Sequence, residues 1–120
     1  MSDRLNTAFT DDAERRTFRA LGGILSIFRK VDGDMAVQQM IVFYWVVMNE
    51  GGSQREMCVD LDMPNSTASR NIAALSLVHR LGKEGLGLVT WTDDLMDRRV
   101  KRLVLTPKGR TFARSLLQTL

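Results

Sequence analysis

The chain has 120 residues, 44% apolar and 26% charged, with a net charge of +3, and this composition is typical of one globular domain. A single cysteine, Cys58, excludes an intramolecular disulfide framework, and the polar, acidic start lacks the apolar region of a secretory signal. The longest apolar run, residues 40–48, is about half the length that a membrane-spanning helix needs, so we expect one cytoplasmic domain over residues 1–120 with no membrane partner.

The first predicted helix begins after Thr10 or Asp11, either of which can cap it, and it ends near Lys30. Large apolar side chains recur along it at the spacing of one helix face. We expect this face to contribute to the core and to the contact between two subunits. Its members are Phe18, Leu21, Leu25 and Phe28.

The second predicted helix runs from about Met35 to Asn49, with Asp34 as its cap and the pair Gly51 and Gly52 after its end. Its β-branched and aromatic centre would also suit a strand, but its length and end signals favour a helix. Because the helix is apolar nearly all round, more than one neighbour must cover it. The first helix or a partner subunit would do so, and together the two helices occupy residues 10–50.

Residues 53–76 are predicted to form a helix-turn-helix. Ser53 and Glu56 have the spacing of a capping box, which starts a short third helix that ends near Leu61. Pro64 disfavours helical geometry in the residue before it but suits the first turn of a fourth helix. Two short helices joined by a short turn occur in DNA-binding proteins and also in proteins that never bind DNA.

The fourth helix has an apolar side and a polar side when residues are projected at 100° intervals. Ala68, Ile72 and Leu75 form the apolar stripe. The polar side carries short donors and acceptors, one guanidinium and small alanines, which suit base edges in a major groove, although such residues also simply cap and solvate helix starts. The residues predicted to contact DNA here are Asn65, Ser66, Thr67, Ser69, Arg70, Asn71 and Ala74, with Ser53, Gln54 and Arg55 at the DNA backbone.

Residues 88–105 are predicted to form a β-hairpin, because LVTWT and VKRLVL are rich in β-forming residues and flank the turn-like stretch DDLMDRR. Arginines at such a tip can enter a narrow minor groove, and Asp97 can orient one of them through a bidentate pair. Thr106 and Pro107 then start a last helix over residues 106–120. The hairpin residues predicted to contact DNA are Arg98, Arg99, Lys101 and Arg102.

Charge is distributed unevenly along the chain. Residues 1–97 carry 10 basic and 14 acidic side chains, whereas residues 98–120 carry seven basic side chains and no acidic one. Such asymmetry indicates a polyanionic partner, although a charged run is also typical of a solvated surface. The predicted fold is mainly α with a small β-hairpin wing, a winged helix-turn-helix in the order ααααββα.

Two stretches, STASRNIAAL and DRRVKRLVLTPKGR, resemble the winged helix-turn-helix regulators of the MarR family, and the resemblance covers residues 39–114. In that family an aspartate and arginines mark the wing, and a strand then runs into Leu-Thr, a basic residue and glycine. Here these are Asp97, Arg98, Arg99, Leu105, Thr106, Lys108 and Gly109. The resemblance implies a homodimer on double-stranded DNA, with Ser66–Leu75 in the major groove and the wing arginines in the minor groove. It also implies a small-molecule effector, for which no residue here gives independent support.

Two features depart from the pattern of that family. Between Arg70 and Gly87 the link is longer than usual, which predicts an extended recognition helix or an inserted turn, and a displaced wing. The last helix is shorter than its counterparts, so we expect dimerisation to depend on the first two helices or to be weaker. A small bacterial, plasmid or phage-encoded regulator would suit such a compact form.

Other functions have less support in the sequence. An enzyme is not expected, because the chain has one His79, one Cys58 and none of the HExxH, paired CxxC, P-loop or GxGxxG patterns; no metal or cofactor is expected either. His79 suits the edge of a core. Cys58 could sense oxidants, as in some MarR relatives, but its acidic neighbours Glu56 and Asp60 would not activate the thiol.

Two functions therefore remain for the chain. The first is a sequence-specific DNA-binding regulator of transcription, expected to be a repressor that binds an inverted repeat as a homodimer. The alternative is a winged-helix module that docks on another protein without binding DNA, with Leu77, Leu95 and Met96 as its apolar anchors.

Overall fold

The computed structural model describes residues 9–77, 84–97 and 99–119. Within these ranges the elements follow the predicted order ααααββα, and the predicted fold class is confirmed. Their bounds are α1 (Asp12–Val31), α2 (Val37–Met48), α3 (Gln54–Leu61), α4 (Asn65–Leu75), β1 (Val89–Asp93), β2 (Lys101–Leu105) and α5 (Pro107–Leu117).

Side-chain caps start three of the helices where the sequence indicated them. The Asp11 carboxylate accepts a hydrogen bond of 2.9 Å from the Glu14 backbone N–H at the start of α1. Ser53 and Glu56 form the predicted capping box of α3, and Thr106 caps α5. These caps satisfy backbone donors that have no partner inside a helix, and so they fix where each helix begins.

The start of α2 differs from the prediction. Asp34 does not cap the helix: its backbone N–H instead donates to the Asp32 carboxylate over 2.9 Å, in a turn that precedes the helix. Met35 is buried in the core, and α2 begins two residues later, at Val37. Burial of an apolar side chain at position 35 therefore decides this boundary, and the polar capping signal does not.

The core lies where α2, α4, the hairpin and α5 meet. Phe28, Phe43 and Phe112 form its aromatic centre, with ring centroids 5.2 to 6.1 Å apart in tilted and edge-to-face arrangements. Phe28, predicted to contact a second subunit, is only 6% exposed, and its ring packs mainly inside its own subunit. The fully buried side chains around this centre include Val42, Val46, Met57, Ile72, Leu75, Leu88 and Leu103.

The segment before α3 extends the hairpin on the free edge of β2. The Gly51 N–H donates to the Leu103 carbonyl, and the Leu103 N–H donates to the Gly52 carbonyl, both over 2.8 Å. A single bridge then pairs Ser53 with Arg102. These bonds fix the hairpin against the start of the helix-turn-helix.

Helix α4 ends at Leu75, and the chain returns along its end. Leu86 N–H donates to the Ala74 carbonyl over 3.0 Å, and Leu88 N–H donates to the Leu75 carbonyl over 2.7 Å. A side chain at Gly85 would lie 1.8 Å from a backbone oxygen of α4's C-cap, so this close return requires glycine. His79, predicted at the edge of the core, lies outside the described residues.

Candidate nucleic-acid interface

The exposed side of α4 carries most of the predicted reading residues. Asn65, Ser66, Ser69 and Arg70 are exposed, and Thr67 is half-buried. Arg70 forms no ion pair or hydrogen bond with any described residue, so its five N–H donors are available to a ligand. A guanidinium flanked by short hydroxyl and amide groups can bind guanine edges or phosphates.

Two predicted reading residues do not lie on this surface. Ala74 is 7% exposed, because residues 85–88 return over that side of α4. Asn71 is 8% exposed, and its amide faces Gln38 Oε1 at 3.4 Å and the Met63 sulfur at 3.9 Å. Placing Ala74 on the exposed face was therefore wrong. Asn71, predicted to contact DNA from the border of that face, also packs inside the domain.

Gln54, predicted at the DNA backbone, joins the two helices of the helix-turn-helix. From its position at the start of α3, its side-chain amide donates to Asn65 Oδ1 over 2.8 Å and to Ser69 Oγ over 2.9 Å. These bonds orient two polar groups on the exposed face of α4. Gln54 therefore links the start of α3 to the first two turns of α4.

At the tip of the hairpin, Asp97 holds Arg99 in the bidentate pair that the sequence predicted. Arg99 Nε and Nη2 donate to the two carboxylate oxygens over 3.1 and 3.2 Å, and the Arg99 backbone N–H donates over 3.0 Å. These bonds, the guanidinium's first, lower the pKa of Asp97. The Arg99 side chain is 91% exposed, so the pair orients a cation that solvent still reaches. Arg98 lies outside the described residues.

Arg102 does not point toward a ligand, contrary to the prediction. Its guanidinium is half-buried between Asp94 Oδ2, at 2.7 Å, and Glu56 Oε1, at 3.3 Å. The hydrogen bond from Arg102 is the main cause of the lowered pKa of Asp94, and Asp94 in turn raises the pKa of Arg102. This side chain holds the wing to α3 and is not free for DNA.

A groove of about 540 Å³ separates the start of α3 from the wing. Arg55 forms one wall, Arg99 and Lys101 form the other, and the indole of Trp91 lies between them. No acidic residue occurs among its described lining residues, so the groove is cationic with one aromatic surface. Trp91 was not identified from the sequence; it lies opposite Leu103, at the middle of the two-stranded ladder.

The basic residues at the end of the chain do not form one cationic face. Arg110 pairs with Glu50, with Nη1 2.9 Å from Oε1, and Lys108 donates to the Leu86 carbonyl over 2.9 Å. Arg102 is paired within the domain as well. Of the described cations after residue 98, Arg99 and Lys101 therefore remain directed to the groove.

On the side away from this groove, α1, α2 and α5 leave a large apolar surface exposed. It includes a cleft of about 440 Å³ lined almost entirely by carbon atoms. Three of the four predicted subunit-contact residues, Phe18, Leu21 and Leu25, lie on this side at 60%, 46% and 46% exposure. The other exposed members are Val37, Ile41, Tyr44, Val47, Met48 and Leu117, and we call the whole set the apolar face.

Two other kinds of site are absent from the described residues. No described helix has the length and apolarity needed to cross a membrane. No group of three or more described histidine, cysteine, aspartate or glutamate side chains is placed to hold a metal ion. Cys58 is half-buried on α3 and forms no disulfide.

Comparison with known proteins identifies the fold. No family model and no curated protein sequence matches the chain. Among solved structures, a MarR transcriptional regulator from Methanosarcina mazei Go1 is 20% identical, over 89% of this chain and 72% of its own, with a TM-score of 0.61. A MarR-like transcriptional regulator from Thermotoga maritima is 23% identical, over 92% of this chain and 76% of its own, with a TM-score of 0.61. The chain has the winged-helix fold of the MarR regulators.

The transcriptional repressor CouR has the same fold and was solved bound to a 23-mer DNA duplex. It is 22% identical to this chain, covers 98% of this chain and 79% of its own, and has a TM-score of 0.62. At these identities the similarity establishes a shared fold. Any shared ligand has to be argued from the residues of this chain.

The stretch LTPKG, which carried part of the resemblance, has a structural role in this MarR-like fold. Thr106 Oγ1 donates to the Gly87 carbonyl over 2.6 Å and accepts from the Gly109 N–H over 2.9 Å. A side chain at Gly109 would lie 2.0 Å from the Leu88 carbonyl oxygen. Threonine and glycine are thus required where α5 packs on the segment that precedes β1.

Proposed function

We propose that this protein is a sequence-specific regulator of transcription that binds double-stranded DNA, with α4 in the major groove and the wing in the adjacent minor groove. One observation carries the proposal: the exposed face of α4, with an unpaired Arg70, lies beside a groove lined by Arg55, Arg99 and Lys101. A helix of this polarity suits base edges, and the cations suit phosphates. The DNA-bound state of CouR, which has the same fold, supports this assignment.

The groove supports a specific path for the DNA backbone. A helix in the major groove and a wing in the minor groove must lie on opposite sides of one sugar-phosphate strand. We assign that strand to the groove between α3 and the wing, where Arg55 and Lys101 neutralise its phosphates and Trp91 packs against a sugar.

We further propose that the protein acts as a homodimer and represses transcription from an inverted repeat. The apolar face is larger and more continuous than scattered surface side chains would be, which is characteristic of an interaction surface. A second copy of the chain could bury the same face by two-fold symmetry. Two α4 helices would then bind half-sites about one helical turn apart.

A salt titration of binding to a site selected from random duplexes tests the proposal. Log affinity should fall linearly with log salt, with a slope of about −0.9 for each phosphate that the protein neutralises. Arg55→Ala should make the slope shallower by about 0.9, because one groove contact is lost. Arg114→Ala, which removes an exposed cation from α5, is the matched control and should leave the slope unchanged.

The protein-docking alternative has one observation in its favour, since Leu77, Leu95 and Met96 are at least 67% exposed. It predicts that neither selected nor random duplexes bind at low salt. Absence of binding there would reject the DNA-binding proposal in favour of a protein partner.

A further inference from the structure

The tip of the wing carries two apolar side chains that the rest of the domain leaves bare. Leu95 is 96% exposed and Met96 is 94% exposed, more than any other large apolar side chain among the described residues. Leaving two such side chains in water forfeits the free energy that burying either would yield. Their position next to Arg99 places them beside the cation that the wing presents.

The backbone at the tip is held by four hydrogen bonds of 2.8 to 3.0 Å. Asp94 accepts from the Met96 N–H, and Asp97 accepts from the Arg99 N–H through its side chain. Asp97 also accepts from the Val100 N–H through its backbone, and the Asp94 N–H donates to the Val100 carbonyl. The two apolar side chains therefore project from a fixed turn.

The carboxylates beside the tip are compensated by cations. Asp94 is paired with Arg102, and Asp97 is paired with Arg99. Asp93 lies directly opposite Lys101 in the register of the two strands. The hairpin contains three acidic residues, but these cations balance their charge. The tip therefore does not repel phosphates.

From these observations we propose that Leu95 and Met96 form an apolar wedge that enters the minor groove and bends the duplex. The proposal rests on the DNA-binding function proposed above. Arg99 lines the groove to which we assign one DNA backbone strand, so a tip that continues past Arg99 would reach the minor groove beside that strand. Leucine and methionine are among the side chains that bent DNA accepts between partly unstacked base steps.

The wedge gives the protein a second source of sequence preference. Pyrimidine–purine steps such as TA unstack readily, whereas A-tracts are stiff. Sites with a TA step under the wing should therefore bind more tightly than sites with an A-tract there, at positions where no side chain reads a base edge. The preferred ligand is therefore double-stranded DNA that bends easily at the step under the wedge.

The test measures bending and affinity together, by energy transfer between dyes at the two ends of a selected duplex. The wild-type protein should bend the duplex by at least about 20°. The double variant Leu95→Ser with Met96→Ser should lose most of that bend, about tenfold in affinity, and the preference for TA over an A-tract. Leu95→Met with Met96→Leu keeps two apolar side chains at the tip and should behave as the wild type does.

Other results would overturn the wedge. If the serine variant binds and bends as the wild type does while its circular dichroism is unchanged, the tip does not enter the groove, although the DNA-binding function stands. If that variant keeps DNA binding but loses the capture of a protein partner, the tip is a protein contact. If the wild type binds no duplex, the wedge and the DNA-binding function are both wrong.

Discussion

Asp97 and Arg99 are joined by two hydrogen bonds between side chains and a third from the Arg99 backbone, although Arg99 itself is 91% exposed. An exposed ion pair contributes little to stability. The pair instead orients the Arg99 guanidinium, which lines the groove between α3 and the wing.

Replacing Arg98 and Arg99 together with alanine should weaken binding to selected and random duplexes by similar factors. Wing arginines bind phosphates and a narrow minor groove. Phosphate charge and groove width differ less between DNA sequences than the base edges do. The salt slope should become shallower by up to about 1.8 if each side chain neutralises one phosphate. Affinity measurements at several salt concentrations test this, with Arg114→Ala as the control. A loss confined to the selected site would contradict it.

Stability in acid should depend on the pair between Arg102 and Asp94. Because Arg102 holds the pKa of Asp94 below its ordinary value of 3.8, the pair stabilises the fold above that pH, and its contribution is lost as the pH falls through the lower, folded-state pKa. Arg102→Met should therefore lower the melting temperature at pH 7 and have a smaller effect near pH 3. Thermal unfolding at both pH values measures the difference, and Arg114→Met controls for loss of a cation. An equal decrease at both pH values would show that packing is responsible.

The apolar face should hold two copies of the chain together. Leu25→Glu places a charge at a position that is 46% exposed on this face, and burying that charge in an interface costs several kcal/mol. Sedimentation at micromolar concentration should show a dimer for the wild type and a monomer for the variant. Val59→Glu adds the same charge at an exposed position on α3 and should leave the dimer intact. A monomeric wild type would refute the homodimer.

Signals that act over a few residues were sufficient to predict most of the fold. The capping box of Ser53 and Glu56 starts α3, Pro64 precedes the first turn of α4, and the stripe of Ala68 and Ile72 faces the core. Each of these depends on backbone geometry or helical periodicity within one turn or two. The pair of Asp97 and Arg99 was predictable for the same reason, since only one residue separates them in the sequence.

Contacts between distant parts of the chain were not predictable. Ala74 is buried by a segment about ten residues later, and Arg102 pairs with Glu56, which lies 46 residues away. A helical projection shows which residues share a face, but it does not show which other segment covers that face. The sequence around a basic residue does not identify the acidic residue with which it pairs. The backbone hydrogen bonds of Gly51 and Gly52 to Leu103 were missed because glycine is disfavoured in sheet pairing.

The most direct test of the account compares the affinity of Arg70→Ala for a selected site and for a scrambled one. Because Arg70 is exposed on α4 with no described partner, the substitution should cost about 1 to 3 kcal/mol on the selected site and relax preference at one base position, with little effect on the scrambled duplex. Circular dichroism should be unchanged, and Arg114→Ala should behave as the wild type does. An unchanged ratio of the two affinities, in a folded variant, would show that α4 does not read the DNA sequence.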